Sequence, residues 1–170
     1  MKKSLVFPLV AVALALTACG KKEESTAAAP ANAPAAAAAP AAPAVAIIEL
    51  TANDSMKFSQ TSFEVKAGQD VKLTFTNMGT MPKQAMGHNV VILKKGVDAK
   101  AFATAAMAAA ATDYVPASLA DQVLAHTKLL GPKQSDEITF KAPTEPGEYV
   151  FLCTFPAHYL TGMHGVIVVK

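Results

Sequence analysis

From Ile47 onward, apolar and polar residues alternate with the period of a β-strand. The clearest run is Val71-Lys72-Leu73-Thr74-Phe75-Thr76, with Val71, Leu73 and Phe75 on one face. Ile47–Leu50, Met56–Phe58 and Phe63–Lys66 precede it, and Lys66-Ala67-Gly68-Gln69-Asp70 makes the turn before it. His88–Leu93 reads as a buried strand, because Val90-Val91-Ile92-Leu93 is continuously apolar. Ile138–Phe140 and Gly147–Leu152 form a further pair, divided by Pro143, Pro146 and Gly147, and Gly165–Lys170 closes the chain. Short strands with this turn spacing predict an antiparallel sandwich.

One stretch departs from that period. Asp98–Ala111 is mostly alanine around Phe102 and Met107, and Asp98 is placed as an N-cap. It predicts a helix inserted across the sandwich, with Phe102, Ala106 and Ala109 on its packed face. Pro116 opens at most one more short helical turn. No internal repeat occurs outside an Ala/Pro tract.

The first 46 residues carry no such pattern. Lys2-Lys3 followed by the apolar run Leu5–Leu16 reads as an export signal, too short to span a bilayer. Leu16-Thr17-Ala18-Cys19 resembles a bacterial lipobox. That resemblance implies a signal peptide over 1–18, cleavage before Cys19 and lipidation of that cysteine. Gly20 stands where an Asp would signal retention in the inner membrane, so the outer membrane is implied. Residues 19–46 then read as a disordered tether, with Pro30, Pro34, Pro40 and Pro43 interrupting alanine before a helix can form. Residues 47–170 are long enough for one core.

Composition changes this picture little. The 52% hydrophobic content is raised by the signal and the tether alanines, so it does not argue for a membrane-embedded fold. The chain has no arginine. Lys2, Lys3, Lys21 and Lys22 are its basic residues before Ile47, and Glu23 and Glu24 its acids, which leaves eleven lysines and eleven acids beyond. A domain so near neutrality excludes nucleic acid as a partner and leaves apolar contact as the docking mode. There are two cysteines, Cys19 and Cys153. With one lipidated and one on a metal, none remains for a disulfide.

The chemistry concentrates in Cys153-Thr154-Phe155-Pro156-Ala157-His158-Tyr159-Leu160-Thr161-Gly162-Met163. Here a thiol, an imidazole and a thioether share one loop between two strands. His88, at the mouth of an apolar strand, is the best upstream fourth donor. Two histidines, a cysteine and a methionine form the donor set of a blue-copper electron-transfer site. Three other readings compete with electron transfer. Envelope copper handling calls for a more exposed Met/His array, which the Ala/Pro tract lacks. A thiol–imidazole nucleophile lacks an adjacent orienting carboxylate. A structural zinc site uses thioether poorly.

The domain resembles the cupredoxin family, and within it the azurins. Asn53-Asp54-Ser55-Met56-Lys57-Phe58, Met86-Gly87-His88-Asn89, Thr112-Asp113-Tyr114-Val115, the stretch Val123–Gly131 and Cys153-Thr154-Phe155-Pro156-Ala157-His158 carry the resemblance. It implies an all-β, cupredoxin-type Greek-key sandwich with one inserted α-helix. It implies one type 1 copper held by His88, Cys153 and His158, with Met163 axial and the Gly87 carbonyl opposite. It implies that Asn89 ties its loop to Thr154, and that the Phe155 N–H donates to the cysteine sulfur. An apolar patch of Met56, Met86, Pro156 and Ala157 would surround His158 and receive c-type cytochromes, nitrite reductase or a peroxidase, the domain acting as a monomer. The signal, anchor and tether resemble those of lipid-modified azurins of outer membranes, with the domain facing the periplasm or the cell surface. The chain departs from azurins in several places. Four residues separate His158 from Met163, a spacing more like auracyanins. Asn77 and Val90 stand at the positions of a buried histidine and a buried tryptophan, and Ala157 replaces a common glycine.

Overall fold

A computed structural model describes residues 44–170; the signal, Cys19 and most of the tether lie outside the described residues. The strands are β1 (Ala46–Asn53), β2 (Lys57–Phe58), β3 (Ser62–Val65), β4 (Asp70–Asn77), β5 (Val91–Leu93), β6 (Val123–His126), β7 (Ser135–Lys141), β8 (Gly147–Leu152) and β9 (His164–Val169). They form two sheets, ordered β2-β1-β4-β7 and β3-β9-β8-β5-β6. Two helices, α1 (Lys83–Met86) and α2 (Ala99–Ala106), interrupt them, and Ala110–Thr112 and Ala117–Gln122 form 3-10 turns.

The sandwich is mixed, not antiparallel as the strand spacing predicts. β1 runs parallel to β4, and β3 runs parallel to β9. Alternation along a strand has the same period in either orientation, so the pattern carries no signal for this. β1 begins at Ala46, one residue before the expected domain start. His88–Leu93 is strand only from Val91; His88 instead makes an isolated bridge to Leu130.

The core lies between the sheets. Val71, Leu73 and Phe75 of β4 face Tyr149 and Phe151 of β8, and Phe58, Phe63, Phe75 and Phe151 pack ring on ring at 5.4–5.9 Å. A second apolar cluster lies on the outer face of the five-stranded sheet, where Val91, Leu93 and Leu152 meet Ala99 and Phe102 of α2. The sheet is therefore buried on both faces there, which is why Val90–Leu93 is apolar without alternation. Burying Phe102 contributes roughly 1.5–3 kcal/mol.

Asp98 caps α2, its carboxylate accepting from the N–H groups of Lys100 and Ala101 at 2.9 and 3.0 Å. The helix ends at Ala106, five residues before the expected Ala111. Ala109 is only half-buried. Without an apolar face to bury, alanine propensity alone does not hold another turn.

Candidate metal centre

His88 is placed by distant segments. Its N–H donates to the Leu130 carbonyl at 3.1 Å, and the Leu130 N–H donates back at 2.8 Å. The buried Asn77 amide, at the end of β4, donates to the same Leu130 carbonyl at 3.2 Å. Gly87 brings the chain in. A Cβ at that residue would sit 2.7 Å from the Lys83 carbonyl and 3.0 Å from Leu129 Cγ, too close for any side chain.

The other three donors share a loop that closes on itself. The Cys153 N–H donates to the Met163 carbonyl at 3.1 Å, the Met163 N–H to the His158 carbonyl at 3.0 Å, and the His158 N–H to the Phe155 carbonyl at 3.1 Å. Between them, the Thr161 N–H reaches the Ala157 carbonyl at 3.2 Å and the Gly162 N–H the Tyr159 carbonyl at 2.9 Å. The stretch Leu160–Gly162 bulges outward, with Leu160 67% exposed and Gly162 at φ +90°. Met163 itself is fully buried beside Cys153 in the main core.

Three buried donor side chains thus converge, His88, Cys153 and His158, and Met163 is buried in the same core as Cys153. The two Nδ1 atoms lie 3.2 Å apart. Cys153 Sγ lies 3.4 Å from His158 Nδ1 and 4.0 Å from His88 Nδ1. In a flat triangle, an ion about 2.0 Å from each nitrogen and about 2.3 Å from sulfur would space the nitrogens about 3.5 Å apart and the sulfur about 3.7 Å from each. The observed triangle straddles those lengths. Two imidazoles that aim the same nitrogen at each other and at a thiol are a donor set, not a core hydrogen-bond pair.

Enclosure sets the electrostatics. Burial pushes the Cys153 thiol up to about 12, and hydrogen bonds from the N–H groups of Asn89 and Phe155 pull against it. Burial, with the neighbouring His88, takes His158 down to about 4. Burial also holds His88 below its ordinary value, opposed by the Asn53 carbonyl and the Asp54 carboxylate. His88 Nε2, on the side of the Asn53 carbonyl, is buried without a hydrogen-bond partner. Metal-free, the site holds neutral imidazoles and a neutral thiol. Ion binding at neutral pH must displace the thiol proton.

Around the cluster, hydrogen bonds and ring contacts tie the two segments together. Asn89 Nδ2 donates to Thr154 Oγ1 at 2.8 Å, and the Thr154 N–H donates to Asn89 Oδ1 at 2.9 Å. Phe155 lies against His158 with ring centroids 4.7 Å apart. Ala157 is exposed, whereas Met56, Met86 and Pro156 are half-buried. His158 itself is 2% exposed. His126 and His164 are exposed and lie outside the donor cluster; His164 stacks on Tyr159 at 4.9 Å.

Sequence reasoning gives no role to three polar residues that build the site. The Asp113 carbonyl accepts from Asn89 Nδ2 at 3.0 Å, while its carboxylate takes the Lys83 ammonium and the Leu129 N–H, both at 3.3 Å. Asp54 accepts from the Thr80 N–H at 2.9 Å, the Thr80 hydroxyl at 2.8 Å and the Met81 N–H at 3.4 Å, fixing the loop that leads to α1. Those bonds, the Thr80 N–H foremost, hold its carboxyl below the usual range. Lys57 donates to the Thr161 carbonyl. Turn aspartates and lysines are ordinary in sequence; the available signal was that Asp54, Lys57 and Asp113 lie inside the azurin-like stretches.

A family model described as copper binding proteins of the plastocyanin/azurin family matches residues 45–170. Auracyanin-B of Chloroflexus aurantiacus is 40% identical over 119 residues, which cover 69% of this chain and 49% of that protein. Outer membrane protein H.8 of Neisseria meningitidis is 41% identical over 109 residues, covering 63% of this chain and 58% of that protein. The chain thus spans about half the length of these relatives. The solved structure of dithionite-reduced auracyanin from Roseiflexus castenholzii aligns with a TM-score of 0.66 at 41% identity, covering 73% of this chain and 96% of that one. A mixed sandwich, a buried Cys–His–His cluster, and a match across nearly every described residue agree: the chain belongs to the plastocyanin/azurin family of copper-binding proteins.

Proposed function

We propose that this chain is a one-electron carrier built on a single type 1 copper and tethered by lipid to the bacterial envelope. The observation that carries the reading is the approach of one thiol and two imidazole nitrogens, from residues 65 and 70 positions apart, to within 4.8 Å of one another. His88, Cys153 and His158 would hold the ion by two imidazole nitrogens and a thiolate, with the Met163 thioether and the Gly87 carbonyl as weaker donors. Bound copper supplies the Cu(II)/Cu(I) couple. The chain's own residues hold the donors still: Asn89 and Thr154 lock the two arms, and the Asn89 and Phe155 N–H groups steady the sulfur. A frame that moves little between two charge states keeps the reorganisation cost of electron transfer low.

His158 is the exit, ringed by Met56, Met86, Pro156 and Ala157. A near-neutral domain with an apolar rim suits redox proteins such as c-type cytochromes, a nitrite reductase or a peroxidase, met by a monomer. The name of the neisserial relative and the lipobox-like Leu16–Cys19 both support an outer-membrane anchor at Cys19, with the domain on the periplasmic or outer face. Full enclosure of the donors favours a resident ion over copper passed on to others. It also disfavours an enzyme, since a nucleophilic cysteine needs access and a lowered pKa, and Cys153 has neither.

The visible spectrum of the copper-loaded protein tests this reading. An intense band in the red, lost in Cys153→Ser, is expected; a colourless protein that prefers zinc rejects it. Met163→Ala tests the axis, because an unchanged spectrum and potential remove Met163 from the site. Cys19→Ser should release the chain from the membrane fraction. Ala157→Glu should slow partner electron exchange while the colour stays.

A further inference from the structure

The bulge Leu160–Gly162 is the part of the loop that the donors themselves do not hold. Its backbone bonds run inward to Ala157 and Tyr159. Its Thr161 hydroxyl donates back to the His158 carbonyl at 2.8 Å. Among the described residues, the hydrogen bond that ties it to the rest of the molecule comes from β2, where the Lys57 ammonium donates to the Thr161 carbonyl, and Met56 Sδ lies 4.0 Å from the Thr161 hydroxyl. Lys57 is well placed to do this. Its backbone pairs with Asn53 in the β1–β2 ladder, and Met56 before it takes a left-handed φ of +56° that turns the chain over the loop. Gly162 leaves room for the ammonium: a Cβ there would lie 2.8 Å from Lys57 Nζ.

We infer that Lys57 is a positioning residue for the metal centre, its ammonium pinning the Thr161 carbonyl and so fixing the lengthened segment that sets Met163 against His158 and Cys153. The inference rests on Met163 being the axial donor. A loop one residue longer than azurin's has slack next to its most weakly held ligand. A charge-assisted hydrogen bond from a neighbouring strand removes that slack, and such bonds are the strong ones. Because Lys57 is exposed, its replacement leaves the core intact.

The test compares Lys57→Met and Lys57→Arg in the full chain, first metal-free and then copper-loaded. In the metal-free K57M protein, amide hydrogen exchange at Gly162 and Met163 should rise about tenfold, the loss expected when one charge-assisted bond goes. In the copper-loaded K57M protein, the visible bands and the copper hyperfine splitting should shift, and K57R should restore both readouts. Unchanged exchange overturns the inference. So does faster exchange with an unchanged spectrum, which confines Lys57 to a surface tether. So does a shift in potential with unchanged exchange, which is the signature of a nearby charge. The axial reading fails separately, if Met163→Ala leaves the spectrum unmoved whatever K57M does to exchange.

Discussion

The two arms of the centre are held in opposite ways. His88 is fixed from outside: the Leu130 bridge, the Asn77 amide behind it and the Asp54-pinned loop ahead of α1 all come from other parts of the chain. The Cys153–Met163 arm is fixed mainly from within, by a ladder of short-range backbone bonds, with Asn89 and Lys57 each reaching it at one residue from outside. The first arm borrows rigidity from the sandwich, and the second makes its own. A site of this kind can vary the length of its loop without disturbing the fold, because the fold's contribution arrives through His88.

Asn89 joins the arms, so the largest expected effect comes from cutting it. Its buried amide ties Thr154 on one side and the Asp113 carbonyl on the other. Asn89→Ala strands the buried Thr154 N–H, at about 1–3 kcal/mol, and removes a part-buried bond to the Asp113 carbonyl, at about 1 kcal/mol. The metal-free protein should lose on the order of 3 kcal/mol in urea unfolding. A loss under about 1 kcal/mol would mean that the arms stand independently.

Acid tests the same pair of arms next. Unfolded, both imidazoles titrate near about 6.5. Folded and metal-free, His158 is held to about 4 and His88 is also lowered, both chiefly by burial. The unfolded chain therefore binds more protons between those values, and stability falls as pH drops from about 6.5 through about 4. This contribution is fully present above about pH 6.5 and amounts to on the order of 3 kcal/mol for His158. Urea midpoints measured at a series of pH values check it, and His158→Gln should flatten the slope. An unchanged slope in that variant would assign the acid sensitivity to the His88 arm.

The same division explains what could be read before the structure. The Cys153–Met163 arm was legible because its donors are neighbours in sequence and their spacing is their geometry. β4 was legible because it alternates cleanly. His88 could be named as the missing donor, but nothing in the sequence near it points to Leu130 or Asn77 as what holds it. β6 went unread because Val123-Leu124-Ala125-His126 does not alternate and none of it is deeply buried. α2 was drawn too long because alanine propensity carries no information about where a packed face ends. Asp54, Lys57 and Asp113 act through tertiary hydrogen bonds, and a polar turn residue looks the same whether or not it makes one.

The smallest effect sharpens the comparison most, since it isolates what the self-made arm costs. Ala157 sits at φ +69°, a left-handed conformation that crowds its Cβ against the backbone. The His158 N–H and Thr161 N–H bonds on either side of it keep the loop in that shape. Glycine there removes the crowding, at about 1–2 kcal/mol, but gives back part of the gain because the unfolded chain becomes freer. Ala157 is exposed, so no packing is lost. Ala157→Gly should therefore stabilise the protein by about 0.5–1 kcal/mol, a rise of about 2–4 °C in Tm, with the blue band unchanged. A drop in Tm would show that the alanine, by narrowing the conformations open to the unfolded loop, contributes more than its strain takes away. The Cys153–Met163 arm would then owe its stiffness to restricted alternatives as much as to its own hydrogen bonds.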